Sequence, residues 1–334
     1  MRSAAPMIPP PPVPASGMAR QRLALYALFA GAAAIAFAPI FVRLSEVGPI
    51  ATGFYRLTLA LPLFWVWERM ERRDRGGSAA ADATIDAGVA PSAPVAATGL
   101  GAGLVVAGLC FAGDLALWHW SLRLTSVANA TLFPNLAPVF VTLLGWLLWR
   151  ERVRPLFLVG MTIAILGAGL LMGESVRLSQ AHLAGDALAL ATALFYAGYI
   201  VAVARLRRDL STAAIMLKSG LVTAAVLLIL AAASGERLWP QTAAGWATLV
   251  GLALISHAAG QSLIAYALAH LPASFSAVGL LLQPAIAALL AWLLFGEAIG
   301  GWQAAGAAVI LAGIVVARRG SVAPAPTPVA RAPE

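Results

Sequence analysis

Residues 136–151 read LAPVFVTLLGWLLWRE, and residues 282–297 read LQPAIAALLAWLLFGE. Both stretches are apolar between an early proline and a closing glutamate. Three uncommon residue types occupy the same places in both, 146 positions apart: Pro138/Pro284, Trp146/Trp292 and Glu151/Glu297. Leucine matches alone would mean little in an apolar chain, but these matches in one register indicate that the chain contains one unit twice.

The composition around these stretches is that of a membrane protein. Of 334 residues, 61% are hydrophobic and 11% are charged, whereas soluble domains are about half apolar and about a quarter charged. Residues 124–149 and 271–296 contain no charge, and about 20 apolar residues suffice to cross a bilayer as a helix. The sequence therefore predicts an all-α membrane protein.

We predict ten transmembrane spans, which place both termini on one side of the membrane. Sixteen lysines and arginines then fall on the side of the termini, four fall on the other side, and Arg56 and Lys218 fall within spans. Because positive residues concentrate on the cytoplasmic side, we expect both termini in the cytoplasm. The spans cover residues 24–42, 50–67, 99–120, 126–149, 155–173, 186–204, 212–233, 244–268, 273–295 and 300–317.

The repeat divides the spans into two groups of five. The 146-residue offset continues into the next span of each half, and upstream the offset becomes 162, where Arg56 corresponds to Lys218. Because five is odd, the second half enters the membrane inverted relative to the first. Inverted repeats are typical of secondary transporters, in which cargo binds near the midplane between the halves.

The predicted organisation has two repeats and three segments of low complexity. Residues 23–174 form the first repeat, which includes a flexible cytoplasmic loop at 74–98, and residues 182–318 form the second. The proline-rich start, 1–22, and the tail, 319–334, are predicted to be disordered.

These motifs resemble the drug/metabolite transporter superfamily, specifically its EamA-type carriers. The fourth and ninth helices of that family carry P-x(7)-W-L-L-x-x-E, followed by glycines in the next span. The resemblance covers roughly residues 24–318. It implies ten helices in two inverted five-helix repeats, and a bacterial inner-membrane carrier, often an exporter, of amino acids or other small metabolites.

Four ionisable residues are candidates for a cargo pathway. Arg56 and Lys218 lie at equivalent places in the second and seventh spans, and Asp114 and His119 lie in the third. Ionisable residues inside membrane spans are functional by default, so Arg56 could meet an anionic group and Asp114 a proton or an amino group. The alternatives are snorkelling of the basic side chains to the headgroups and a hydrated vestibule around Asp114.

A second set of candidates lies beside proline kinks. Prolines within helices free backbone carbonyls, which is tolerated where they face protein, water or cargo. Simple bending and helix–helix hydrogen bonds are the alternative readings. The kinks are at Pro134, Pro138 and Pro284. Asn135 and Gln283 lie beside them and could hydrogen-bond cargo, and a polar lining could also include Asn129, Tyr199, His257 and Gln261.

Two further groups have a predicted structural or gating role. Glu151 and Glu297 end the fourth and ninth spans, where a carboxylate opposes the helix dipole and requires a partner. We interpret both as structural pins between the repeats, and the basic residues near Glu151 in the sequence are Arg150, Arg152 and Arg154. Four glycines are paired seven residues apart on one helix face: Gly160 and Gly167, and Gly306 and Gly313. Such spacing is typical of close helix packing, against the bundle or against a second subunit.

The sequence contains no metal-ligand cluster, catalytic triad or phosphate-binding loop. We therefore expect no cofactor, no metal and no nucleic-acid partner, but a small-molecule substrate and the lipid bilayer, in a monomer or a homodimer. Either exchange for protons or the cargo gradient would drive export. A secondary exporter working by alternating access explains the pattern best. A membrane enzyme using Asp114, His119 and His257, and a channel, stay open as alternatives at this stage.

Overall fold

The computed structural model describes residues 15–82, 97–125, 130, 132–172, 183–296 and 300–321. Two residues with predicted roles, Asn129 and Glu297, lie outside the described residues. So do most of the predicted flexible loop 74–98 and most of the two ends of the chain that were predicted to be disordered. Within the described residues, two boundaries differ from the predictions. The first helix already begins at Ala15, within the start of the chain that was predicted to be disordered, and the second continues to Asp82, within the predicted flexible loop. Adding residues to a helix that has already formed costs far less than starting a new one.

All regular structure in the described residues is helical and groups into ten elements. Eight are long and apolar enough to cross a membrane, and α4 and α5 are shorter apolar helices. The all-α membrane fold is thus confirmed. The elements are α1 (Ala15–Ala36, Ala38–Leu44), α2 (Pro49–Thr58, Leu61–Asp82), α3 (Ala97–Leu124), α4 (Phe133–Leu136, Ala137–Trp149), α5 (Pro155–Met172), α6 (Leu183–Leu206), α7 (Thr212–Ala233), α8 (Ala243–Gly251, Leu252–Gln261, Ser262–Leu268), α9 (Ala273–Gly279, Leu282–Phe295) and α10 (Gly301–Gly320).

The contact between α5 and α10 shows the inverted repeat directly. A methyl group added to Gly160 would overlap the backbone of Ala317, and one added to Gly306 would overlap the backbone of Leu171. Gly306 and Leu171 are the 146-residue counterparts of Gly160 and Ala317. Exchanging the two halves therefore converts the contact of Gly160 with Ala317 into the contact of Gly306 with Leu171. A two-fold axis between the halves produces such an exchange.

A second pair of contacts on α5 and α10 obeys the same relation. A Cβ built on Gly167 would lie 2.6 Å from the nitrogen of Ile310, and a Cβ built on Gly313 would lie 2.7 Å from the Cα of Ala164. The predicted glycine packing is thus packing of α5 on α10 within the bundle.

The bundle has two ends, which we name by their segments. The loop face carries segments 45–48 and 234–242, and the terminal face carries segments 150–154 and 207–211 and the end of α10. At the loop face, Glu236 Oε2 accepts hydrogen bonds from the backbone N–H of Ile50 at 2.9 Å and of Ala51 at 3.3 Å. A carboxylate of the second repeat thus caps the N-terminus of α2, where negative charge is favourable.

Glu46 of the first repeat makes the corresponding contact with the second repeat. Its Oε2 accepts hydrogen bonds from the N–H of Gln241 at 2.7 Å and of Thr242 at 3.1 Å, and its Oε1 accepts one from the Thr242 hydroxyl. Thr242 is the N-cap of α8 and accepts from Gly245 N–H at 3.0 Å. Each repeat therefore caps a helix of the other at the loop face.

Replacing Glu46 by glutamine is expected to destabilise the protein in a pH-dependent way. Hydrogen bonds from the Thr242 hydroxyl and from the Gln241 N–H favour the ionised carboxylate and hold the pKa of Glu46 below its ordinary 4.5. Because the pKa is lower in the folded than in the unfolded state, the stabilisation is present above pH 4.5 and is lost as pH falls through the folded pKa. The Glu46→Gln variant should have a lower Tm in detergent at pH 7, and the difference should shrink in acid.

Asp209→Asn is the matched control, because Asp209 is an exposed carboxylate at the terminal face. It removes one negative charge without removing a helix cap. A Tm difference for Glu46→Gln that stays constant from neutral to acidic pH would contradict the assigned role.

Candidate functional site

A cavity of about 210 Å³ lies between the two repeats, in the half of the bundle nearer the loop face. Val42 at the end of α1, Thr52 near the start of α2 and His119 near the end of α3 mark its outer part. Ligand sites of transporters with inverted repeats lie in such a position between the halves.

Equivalent positions of both repeats contribute to the wall of this cavity. Five lining pairs are separated by 146 residues: Leu115/Gln261, Pro134/Leu280, Asn135/Leu281, Ala137/Gln283 and Pro138/Pro284. The cavity therefore reaches the pseudo-two-fold axis. Three predicted kink prolines, Pro134, Pro138 and Pro284, are among these residues, as are the predicted polar residues Asn135, Gln261 and Gln283.

One face of α3 supplies a wall of the cavity. Phe111, Asp114, Leu115, Trp118 and His119 all line it, at the i, i+3, i+4, i+7, i+8 spacing of a single helix face. The ring Nδ1 of His119 lies 2.6 Å from the carbonyl oxygen of Leu115, and its ring contacts that of Trp118 at 4.9 Å. The predicted pathway residues Asp114 and His119 thus share one wall, and Asp114 is the deeper of the two.

Arg56 enters the cavity from α2 and faces the same region as Asp114. Its guanidinium lies over the Phe111 ring, with Cζ 5.9 Å from the ring centroid. Arg56 and Asp114 interact electrostatically, but no ion pair within 4.0 Å joins them. Arg56 is 8% exposed, and its Nε has no hydrogen-bond partner among the described residues. The site therefore offers a basic and an acidic side chain that are not paired with each other.

Amide and phenol groups form the opposite wall. Tyr196 of α6 faces the side chains of Gln261 and Gln283, with which its hydroxyl interacts. Gln261 Oε1 and Gln283 Nε2 are buried and have no hydrogen-bond partner within the described part of the chain. Buried polar atoms are nearly always hydrogen-bonded, so unpartnered acceptor and donor atoms in a cavity indicate a place for a polar ligand.

Aromatic rings close the cavity toward the centre of the bundle. The Phe111 ring stacks on Tyr199 with centroids 4.5 Å apart, and Tyr199 stacks on Tyr196 at 6.2 Å. Tyr199 is 2% exposed and lies behind the wall, with its hydroxyl 4.0 Å from Met216 Sδ. Tyr199, a predicted pathway residue, therefore packs behind the residues that line the cavity and does not line it.

Lys218 lies outside the cavity in this conformation. Its Nζ is 4.0 Å from Glu68 Oε1, and Glu68 also pairs with Arg72 at 2.8 Å. The Lys218 side chain is 41% exposed and shares a helix face with exposed Leu221 and Ile229. The repeat pairs Lys218 with Arg56, but the two side chains have different surroundings here.

Glu151 is paired across the repeats. Its Oε1 lies 2.9 Å from an Nη atom of Arg205, and Arg205 also stacks over the Trp149 ring at 3.7 Å. The neighbouring arginines of the sequence, Arg150 among them, are not the observed partner. Arg150 instead ends α4 in the left-handed conformation with φ 54°. The role of Glu151 as a pin between repeats stays a proposal, and Glu297 lies outside the described residues.

Two features of the site were missed from the sequence. Tyr196 lines the cavity together with Thr192 and Ile200, and their i, i+4, i+8 spacing was the available signal. Leu252 and Gln261 of α8 also both line it, although an α-helix at about 100° per residue puts positions nine apart on opposite faces. The π-helical stretch Leu252–Gln261 has a wider turn, which brings both residues to the cavity. We found no sequence pattern that predicts this π-helix.

Comparisons with known proteins agree with this architecture. A family model described as "EamA-like transporter family" matches residues 22–173 and 183–319. An uncharacterised transporter of Bacillus subtilis, YwfM, is 26% identical over 215 residues, which cover 63% of this chain and 71% of the relative. The threonine/homoserine exporter RhtA of Salmonella typhimurium is 27% identical over 221 residues, or 65% of this chain and 70% of the relative. A solved crystal structure at 20% identity superposes with a TM-score of 0.68, over 90% of this chain and 98% of that one, which shows a shared fold.

Proposed function

Because the chain belongs to the EamA-like transporter family, we propose that it is a secondary exporter of small zwitterionic metabolites such as amino acids, working by alternating access between its inverted repeats. Residues 23–174 and 182–318 are the two repeats that move relative to each other. Cargo binds in the cavity between them and leaves through the loop face.

The charge arrangement of the cavity is the observation that supports this cargo. Arg56 offers a guanidinium and Asp114 a carboxylate, without an ion pair between them. An amino acid carries one group for each of these charges. Arginine binds carboxylates through paired N–H donors, and a carboxylate inside a membrane protein binds cations.

The remaining lining supports a small, partly apolar cargo. Leu115, Ile200 and Leu252 form apolar wall beside the amides of Gln261 and Gln283. The cavity of about 210 Å³ is smaller than the pockets of about 300–1,000 Å³ that bind drug-sized ligands. A short side chain with a hydroxyl or methyl group suits this space, and the relative RhtA is named a threonine/homoserine exporter.

Direction, location and coupling complete the proposal. The arginine distribution favours cytoplasmic termini, which makes the loop face the outer side of a bacterial inner membrane. A proton that occupies Asp114 when cargo is absent would couple transport to the pH gradient. The protein acts as a monomer or a homodimer. Its reported relatives are named transporters or exporters, so we propose a carrier rather than an enzyme or a channel.

Counterflow in proteoliposomes tests the proposal. Vesicles containing the purified protein and unlabelled threonine or homoserine should take up the labelled amino acid transiently, with saturation, and a pH gradient should change the rate. Unsaturable flux would indicate a channel. Absence of counterflow across a panel of amino acids would reject the proposed cargo class.

Replacing Asp114 by asparagine is expected to weaken transport of threonine more than transport of its amine-free analogue, 3-hydroxybutyrate. If Asp114 binds the cargo ammonium, the variant loses a charge-assisted hydrogen bond, so the KM for threonine should rise about tenfold or more. The analogue makes no such bond and should lose little. Competition assays with both compounds measure the difference, and an equal loss for both would contradict the assignment.

A further inference from the structure

His257 has a buried position that the cavity does not explain. It is 2% exposed, and both ring nitrogens lack hydrogen-bond partners among the described residues. It lies in the π-helical stretch of α8, and such stretches are frequent at functional sites. His257 does not line the cavity. Buried polar groups without partners are rare in folded proteins, so a histidine in this state needs an explanation.

The repeat gives His257 a specific counterpart. It lies 146 positions after Phe111, the offset that relates α3 to α8. The two rings stack on each other with centroids 5.8 Å apart and planes 16° apart. Two equivalent residues that touch lie on either side of the axis relating them, so Phe111 and His257 face each other across the pseudo-two-fold axis at the centre of the molecule.

The two members of this pair have different surroundings. Phe111 lines the cavity and lies under the Arg56 guanidinium. His257 stacks on the Phe111 ring and contacts Phe64 edge-on at 5.8 Å. Phe111 therefore lines the cavity in this conformation, whereas the imidazole in contact with its ring does not.

Alternating access reverses this relation. When inverted repeats exchange conformations, each half adopts the arrangement that the other had. A position that lines the loop-face cavity in one state is then matched by its counterpart lining a terminal-face cavity in the other. For the pair on the axis, the imidazole of His257 then lines the cavity at the place where the apolar ring of Phe111 lines it in the present state.

We propose that His257 is a cargo-binding residue of the conformation that opens to the terminal face, where it takes the place that Phe111 has here. Its ligand is a hydrogen-bonding group of the cargo, such as a carboxylate or a hydroxyl. The inference rests on the proposed alternating-access function. It explains why a polar ring that has no described partner in the present state is kept at the centre of an apolar bundle.

Cysteine accessibility tests the position of His257 without knowledge of the cargo. Cys110 is the single cysteine, so Cys110→Ser provides a background for His257→Cys and for the matched variant Phe111→Cys. Each is exposed to a membrane-impermeant methanethiosulfonate in vesicles of either orientation, which is verified by proteolysis of a C-terminal tag. The His257→Cys thiol should react from the terminal face only, and the Phe111→Cys thiol from the loop face. A His257→Cys thiol that reacts from neither face, or from the loop face, would overturn the proposal.

Transport kinetics measured from each face provide a second test, which needs no cysteine. His257→Phe makes the axis pair two phenylalanines and should raise the KM for threonine about tenfold at the terminal face, with little change at the loop face. His257→Asn, which keeps a hydrogen-bonding group, should restore part of the affinity. Equal KM changes at both faces would indicate a structural role and refute the inference. If the wild type shows no counterflow but the labelling pattern is as expected, the cargo class is wrong and the position of His257 stands.

Discussion

Replacing Arg56 by alanine is expected to lower threonine counterflow about a hundredfold, because removing one partner of a buried charge interaction costs about 3 kcal/mol. Arg56 is 8% exposed and is the cavity's only arginine or lysine among the described residues. Without it, the carboxylate of a zwitterionic cargo would enter an apolar pocket that also contains Asp114. The measurement is the initial rate of counterflow in proteoliposomes at matched protein content.

The same substitution leaves Asp114 without a nearby cation, which could weaken the fold itself. The double variant Arg56→Ala/Asp114→Asn removes both charges and separates the two effects, since it should fold like the wild type but still fail to transport threonine. Arg69→Ala is the matched control on the same helix, because Arg69 is exposed and stacks over Trp65 at 4.0 Å, away from the cavity. Full transport by Arg56→Ala would remove Arg56 from the site.

Replacing Gly160 by alanine is expected to destabilise the protein strongly, although the change adds one methyl group. The new Cβ would overlap the backbone of Ala317, and a backbone cannot move aside as the end of a side chain can. Overpacking of this kind costs about 1–3 kcal/mol or more. The Tm of the purified protein in detergent should therefore fall by several degrees.

The helix α5 supplies its own control. A Cβ on Gly169 would have nothing within 4 Å, so Gly169→Ala should be neutral or stabilising by up to about 1 kcal/mol, the helix preference of alanine over glycine. The two substitutions are chemically identical and lie on one helix, but only Gly160→Ala is expected to destabilise the protein. Gly306→Ala, the counterpart of Gly160→Ala, should cause a similar loss. Equal effects at Gly160 and Gly169 would mean that the contact of α5 with α10 is not close.

The sequence predicted much of the fold because a bilayer imposes simple rules. Long apolar runs must be helices, since every backbone polar group has to be bonded within the segment. The repeated motif then related the halves, and the ends of most predicted spans lie within a few residues of the observed helices. The start of α1 and the end of α2 were missed because they lie beyond the apolar runs, in polar segments that show no hydrophobic pattern.

The candidate site was predicted less completely, and for a different reason. Arg56, Asp114, His119, Asn135, Gln261 and Gln283 do line the cavity, since charged and polar residues are conspicuous in an apolar span. Tyr199 and Lys218 are equally conspicuous but lie elsewhere. Lipid is as apolar as a protein core, so hydrophobicity does not separate a helix face that meets lipid from one that meets another helix or cargo.

The sequence by itself determined ten spans, their division into two inverted halves, and the pairing of residues between the halves. Only the tertiary structure decided which pairs line the cavity with both members and which with one: Arg56 lines it but Lys218 does not, and Phe111 lines it but His257 does not. The physical reason is that the repeat relates positions of the two halves to each other, whereas a single conformation does not treat the two halves alike. With the cavity toward the loop face, equivalent positions have different neighbours, and that difference arises from the packing of one half against the other.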